Sequence, residues 1–253
     1  MRRAGRARME VKRVLQCADF FALDGADHAA LLAGHEPVWR VLTRLGSYVE
    51  AFLSAHGARV AGHVAPGAVV GEDVYIGAGT VVEPGAFVLG PAVIGPRNVI
   101  RHGAYVREAV VTGAGCVIGH ASEIKGSLML EGSAAPHFNY VGDSLLGRRV
   151  NLGAGTKLSN VPMAPGGSAR AGRTVVITIA GVPHDTGLAK LGAVLGDDVH
   201  TGCNSVTNPG CLVGPRTVVY PNVSLPKGYY PPDRVVKLRQ QLDLIERLAT
   251  PPS

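Results

Sequence analysis

From Val64 to Leu130 every sixth residue is a branched or aliphatic side chain: Val64, Val70, Ile76, Val82, Val88, Ile94, Ile100, Val106, Thr112, Ile118, Ile124 and Leu130. Thr112 is the one departure, and it is still β-branched. The next residue is usually Gly or polar (Gly71, Gly77, Glu83, Gly95, Gly119). Four places after the marker comes a small or short side chain, as at Val74, Thr80, Ala86, Ala92, Ala104 and Cys116. A six-residue period matches neither the 3.6 of a helix nor the alternation of an ordinary strand, so it describes the repeating unit of a solenoid. Three hexapeptides close one coil, with short parallel strands as faces and turns as corners. The marker side chains stack inward, and glycines serve corners that need a positive φ. Each buried Val or Ile contributes about 1.5–3 kcal/mol of transfer free energy, so one apolar column replaces a globular core. A Gly- and Val-rich β-sandwich would not hold a single phase over eleven steps.

The chain carries a formal charge of +6. Arg2, Arg3, Arg6, Arg8, Lys12 and Arg13, against Glu10, supply most of it, which leaves the body nearly neutral. This tail has no interleaved aromatics and no amphipathic period, so it reads as disordered rather than as a contact for nucleic acid or membrane; translation from Met9 is an alternative start. No stretch has the length of a signal or a membrane span, and a cytoplasmic protein is expected. Cys17, Cys116, Cys203 and Cys211 show no CxxC spacing and read as reduced fillers of the core.

Four segments follow. Residues 1–19 form the basic tail and lead-in. Residues 20–56 form a helical cap, with Pro37 suited to a first turn and Trp39, Leu42, Val49 and Leu53 at helical spacing; a cap over the open first coil is expected, with Trp39 in a ligand site as the lesser alternative. Residues 57–228 form the β-helix. Its ladder is regular to Leu130, irregular from Pro136 to about Leu191, and resumes at Leu195, Thr201, Thr207, Val213, Val219 and Leu225. Within the irregular zone, residues 161–190 read as an inserted loop and hairpin. In 229–253, Pro231-Pro232-Asp233 predicts the start of a C-terminal helix striped by Val235, Leu238, Leu242, Ile245 and Leu248.

Between Glu123 and Asn160 a His, Lys, Tyr and two Asn crowd among Gly-rich turns, where a solenoid alone asks only for apolar and small residues. A His accepts a proton near neutral pH, as an amine attacking a thioester requires. Lys and Arg grip phosphate, and Asn amides orient hydroxyl or carbonyl groups. Taken alone, His137 is equally a solvent-exposed turn histidine. Eighteen residues separate Arg107 from Lys125, one full coil, so the two cations should be stacked neighbours able to meet one phosphate.

The order Arg107, Glu123-x-Lys125, His137-x-x-Tyr140, Asn151 and Asn160 resembles the acetyltransferase domain of the bifunctional glucosamine-1-phosphate acetyltransferase/N-acetylglucosamine-1-phosphate uridylyltransferase family, especially its archaeal-type sugar-phosphate nucleotidylyltransferase branch. The likeness runs from about Arg107 to Val223. It implies a left-handed parallel β-helix, an exception to right-handed crossovers, and a homotrimer with active sites at subunit contacts. It implies His137 as general base, Arg107, Lys125 and Tyr140 on the sugar phosphate, Glu123 and Asn151 on the sugar, and Asn160 beside the thioester. Cys203, Tyr220 and Pro221, helped by Lys190, would line the coenzyme A groove. Acetyl-CoA is then the co-substrate; no metal is required, and neither nucleic acid nor membrane is a partner.

Two departures from the family pattern stand out. A further phosphate-binding Lys after the second Asn is missing, with Arg170 and Arg173 the nearest cations. No Gly-rich nucleotide loop precedes the solenoid, and residues 1–56 are too few for a nucleotide-binding α/β domain, so uridylyl transfer is not expected. Transfer to a nucleotide-linked amino sugar and a non-catalytic sugar-phosphate-binding scaffold are the competing readings. Zinc-dependent carbonic anhydrases share such solenoids, but His102, His120 and His137 lack a His-x4-His ligand pair.

Overall fold

The computed structural model describes residues 14–163 and 173–243. The basic tail and Met9 lie outside the described residues. The repeat winds into a three-faced solenoid, and the chain visits face one, face two and face three in turn. Face one is a nine-stranded sheet running from His63–Val64 to Val235–Val236. Face two has eight strands, from Val69–Val70 to Ser224–Leu225, and face three has eight, from Val74–Ile76 to Gly228–Tyr230. Within each face the strands pair in parallel with the equivalent strand of the next coil, for example Val82 with Ile100 and Val106 with Ile124. The marker residues meet inside: Ile76, Val82, Val88, Ile94, Ile100, Val106, Ile118 and Ile124 are fully buried in one cluster. Leu195, Thr201, Thr207, Val213, Val219 and Leu225 continue the column above the insertion. Thr112 is tolerated inside because its hydroxyl oxygen accepts hydrogen bonds from the Asn98 side-chain amide and the Gly95 N–H.

The six-residue phase breaks one turn earlier than the spacing suggests. Met129, not Leu130, pairs with Thr112 and enters the column, while Leu130 packs in an outer layer. Ile124 to Met129 is thus a five-residue step, and Val141 to Leu146 repeats it one coil later. Both shortened turns lie where face two meets face three. Each is pinned by a buried serine. Ser127 Oγ donates to Lys125 O (2.7 Å) and accepts from the Ser144 N–H (3.0 Å). Ser144 Oγ donates to Gly142 O (2.7 Å) and accepts from the Ala193 N–H (3.0 Å).

The helical segment does not cap the first coil. Its long helix, Val41–His56, lies along the outside of face three, where Val93, Val111, Leu128, Leu145, Val194 and Leu212 form a continuous apolar strip. Burial of that strip favours packing on the flank. Trp39 is buried within this layer. In the excursion between Asn160 and Leu191, Val176–Ile179 and Val182–Asp185 form an antiparallel hairpin whose Ile177 and Ile179 join the same outer layer. Face three is therefore covered on both sides, whereas faces one and two keep exposed outer surfaces.

The expected C-terminal helix is a further correction. Gly228–Tyr230 and Val235–Val236 are the last strands of faces three and one, and Pro231-Pro232-Asp233 is the turn between them. The reason is the ladder: Tyr230 and Val236 continue the inward column, and parallel pairing with Val213 and Val219 outweighs an isolated helical stripe. Leu238 and Leu242 are exposed without helix, and Ile245 and Leu248 lie outside the described residues.

His28 ties the outer layer to the solenoid. Its Nε2–H donates to Thr112 O (3.1 Å), which leaves Nδ1 to accept from Tyr48 O–H (2.9 Å). Burial lowers its pKa below 6.5. The unfolded imidazole therefore binds a proton in a window where the folded one does not, so stability present above about pH 6.5 falls as the pH drops below it. Urea titrations between pH 7 and 5 should show this slope, and His28→Gln should flatten it; an unchanged slope would exclude the role. Gly119 makes a second case, since an added Cβ would fall 1.7 Å from Pro136 O in the next coil. Gly119→Ala should cost about 3 kcal/mol. Gly115→Ala, at φ +69° with open space around it, should cost about 1 kcal/mol.

Candidate active site

The corner between faces two and three gathers most of the polar residues singled out by sequence. Arg107 and Lys125 are register partners on adjacent coils, so the one-coil spacing does stack them, about 4.8 Å apart along the sheet. Each is embedded in carboxylates. Arg107 Nε donates to Glu123 Oε1 (2.8 Å), and Arg107 Nη1 pairs with Glu108. Lys125 Nζ lies 3.3 Å from both Glu108 Oε2 and Asp143 Oδ2. Asp143 in turn accepts a hydrogen bond from the Asn160 amide, whose Oδ1 accepts from Tyr140 O–H (3.2 Å). One continuous network thus joins Arg107, Glu108, Glu123, Lys125, Asp143, Asn160 and Tyr140. It holds two cations and three carboxylates.

Burial decides how these groups are tuned. The Lys125 side chain is only 6 % exposed. Burial pulls its pKa down, but the charges of Asp143 and Glu108 outweigh that and hold it above the usual lysine value. Arg107 behaves likewise: desolvation is overcome by the hydrogen bond to Glu123 and the charge of Glu108. Burial raises the Tyr140 phenol, which stays protonated and able to donate. The network therefore presents two permanent cations, a neutral hydroxyl donor, one amide and three carboxylates.

The corner between faces one and two carries the remaining candidates. His137 ends the strand Ala134–His137 and is exposed. Its turn is held by the buried Asn139, whose Oδ1 accepts the His137 N–H (3.0 Å) and whose Nδ2 donates to Gly153 O (2.8 Å). Among the described residues the His137 imidazole has no hydrogen-bond partner, so it is free to turn toward a ligand. The corner is a ladder: the Gly155 N–H donates to His137 O, Asn204 N–H to Ala154 O, and Asn222 N–H to Cys203 O. His137, Ala154, Cys203 and Pro221 are consecutive rungs, with Cys203 about 10 Å above His137. Cys203, Tyr220 and Pro221 are all exposed along this edge. Cys203 is thus no core filler, in contrast to Cys17, Cys116 and Cys211, which are buried; burial pushes the Cys17 and Cys116 thiols up to about 11.

Tyr140 connects the two corners, beginning its strand three residues after His137 and reaching Asn160 across face two. Lys190 is exposed at the foot of the excursion, where the Leu191 N–H donates to Asn160 O (3.0 Å). Asn151 stands apart. It is exposed on face one between Ala134 and His200, outside the hydrogen-bonded network. Arg170 lies outside the described residues, and Arg173 is exposed. Glu108, Asp143, Asn139, Ser127 and Ser144 were not identified from sequence. Asn139 could have been, because it occupies an inner-corner place otherwise filled by Ala86, Ala104 or Ser122. Among the described residues no helix is long and apolar enough to cross a membrane, and no three His, Cys, Asp or Glu side chains group as a metal would need.

Residues 88–208, just under half of the chain, match the family described as the GMPPB C-terminal domain. A bifunctional sugar-1-phosphate nucleotidylyltransferase/acetyltransferase of Sulfurisphaera tokodaii is 37% identical over 99 residues, 39% of this chain and 23% of that protein. The bifunctional protein GlmU of Methanococcus maripaludis strain C7 is 37% identical over 101 residues, 40% of this chain and 23% of that protein. The chain thus spans about a quarter of the length of these relatives. A UDP-N-acetylglucosamine acyltransferase structure from Campylobacter jejuni aligns at 17% identity with a TM-score of 0.44, covering 69% of each chain. The chain is a hexapeptide-repeat β-helix that is similar, over about two fifths of its length, to the bifunctional protein GlmU and to an archaeal bifunctional sugar-1-phosphate nucleotidylyltransferase/acetyltransferase.

Proposed function

We propose that the chain transfers an acetyl group from acetyl-CoA to the amino group of an amino-sugar phosphate resembling glucosamine-1-phosphate. The observation that carries this reading is the stacking of Arg107 on Lys125 beside Tyr140 and Asn160, with His137 at the end of the preceding face-one strand, three residues before Tyr140. His137 takes the proton from the amine as its nitrogen attacks the thioester carbonyl. The C–N bond forms, the tetrahedral oxyanion collapses, the C–S bond breaks, and coenzyme A leaves as the thiol after protonation. Arg107, Lys125 and Tyr140 hold the phosphate, Glu123 and Asn151 the sugar, and Asn160 lies by the thioester. The edge bearing Cys203, Tyr220 and Pro221 takes the pantetheine arm, with Lys190 beside the acyl end. A thioester is already activated, so positioning and a base are the main requirements.

Copies meet as a homotrimer through faces one and two, since face three is occupied by the chain's own helix and hairpin. In that assembly Asn151, remote from the network within one subunit, faces a site shared between subunits. The protein acts in the cytoplasm. A second reading, transfer to a nucleotide-linked amino sugar, is favoured by one observation: three carboxylates against two cations suit an acceptor whose charge lies away from Arg107.

Purified protein incubated with acetyl-CoA and glucosamine-1-phosphate should release free thiol. His137→Ala should lower kcat by about 10²- to 10⁴-fold, and a variant retaining most of the rate would refute the base. Lys125→Gln should raise KM for the phosphorylated amine roughly tenfold or more, with little effect on KM for acetyl-CoA. Activity confined to a nucleotide sugar would favour the second reading. No thiol release with any amine would leave a binding scaffold.

A further inference from the structure

We infer that Glu108 is an anion built into the acceptor site: its carboxylate occupies the place between Arg107 and Lys125 that a phosphate would take, so a phosphate-bearing acceptor has to displace it to reach both cations. This rests on the reading of the two cations as the acceptor's anchor.

The geometry is that of a bridging oxyanion. One Glu108 oxygen pairs with Arg107 Nη1, and the other lies 3.3 Å from Lys125 Nζ. A phosphate bound by both cations would use two oxygens in the same way. The remaining partners differ in kind. Glu123 approaches Arg107 from the neighbouring strand, and Asp143 approaches Lys125 from the turn of the next coil. Each of these carboxylates touches one of the two cations; Glu108 touches both. Both stay in place if Glu108 moves, so neither cation would be left unpaired.

Exposure separates them further. The Glu108 side chain is 59 % exposed, against 33 % for Glu123 and 21 % for Asp143. An exposed ion pair is weakly held and screened, so Glu108 is the carboxylate that can swing away at least cost. Its backbone sits at φ +54°, followed by Ala109 at +20°, on the turn that leads from face two into face three. With Glu108 in place the cluster has one carboxylate more than it has cations. A dianionic phosphate entering it would meet a net negative site; once Glu108 is neutral, two cations face two carboxylates.

Glu108→Gln keeps the shape of the side chain and removes its charge. Glu50→Gln, on the exposed side of the helix over face three, removes an equal charge elsewhere. The full chain is titrated calorimetrically with inorganic phosphate, with glucosamine-1-phosphate and with unphosphorylated glucosamine. The Glu108→Gln protein should bind the two phosphate-bearing probes on the order of five- to tenfold more tightly than wild type, with glucosamine unchanged and Glu50→Gln like wild type. Equal or weaker phosphate binding in Glu108→Gln, or an equal gain in Glu50→Gln, would overturn the inference. Thiol release reports separately on acyl transfer. Tighter phosphate binding without thiol release would leave Glu108's role standing and remove the acetyl-transfer reading; thiol release with unchanged phosphate affinity would do the reverse.

Discussion

Everything at the candidate site depends on how a six-residue register absorbs two five-residue steps. Ile124 to Met129 and Val141 to Leu146 each lose a residue at the corner between faces two and three, yet the column stays filled. A shortened turn removes a backbone group from the regular ladder, and a buried group without a partner costs about 1–3 kcal/mol. Ser127 and Ser144 prevent this by inserting a hydroxyl that both donates to its own turn and accepts from the coil above. The tightened corner then brings Lys125, Asp143 and Asn160 within hydrogen-bonding reach of one another.

The three faces have different duties. Face three is sealed by the helix and the hairpin, and its strands carry three successive buried residues, such as Ala92-Val93-Ile94. Face two holds the polar network on its outer surface. The edge between faces one and two is an exposed ladder of repeated turns that presents His137, Cys203 and Pro221 in line. A rigid stack of coils keeps these two edges at a fixed separation, and Tyr140 spans it. The scaffold therefore contributes pre-organisation, which is what the proposed acyl transfer would most need.

Periodicity made the architecture legible, and the one-coil spacing of Arg107 and Lys125 was readable for the same reason: equivalent positions on adjacent coils must touch. His137, Tyr140, Asn151 and Asn160 were readable only through a motif, because nothing in a repeat requires them. The serine-pinned turns were not readable, since a five-residue step is visible only once pairing is known, and Leu130 fitted the six-residue count as well as Met129 did. Glu108 and Asp143 escaped because acidic residues on turns are ordinarily solvated. The position of the helix was misread, although the apolar triplets of face three carried the signal that its outer surface needed covering. At the C-terminus a helical stripe through Val235 competes with a ladder step at Val236, and pairing of these two residues with Val218 and Val219 decides between them.

The shortened turns build the candidate site. Inserting one Gly between Gly126 and Ser127 restores the ordinary six-residue step, which the coils below already tolerate. Calorimetric titration of that variant with glucosamine-1-phosphate, on material whose circular dichroism matches wild type, tests the claim directly. Loss of binding by tenfold or more on a retained fold is the expected result; a folded variant that binds as wild type does would contradict it.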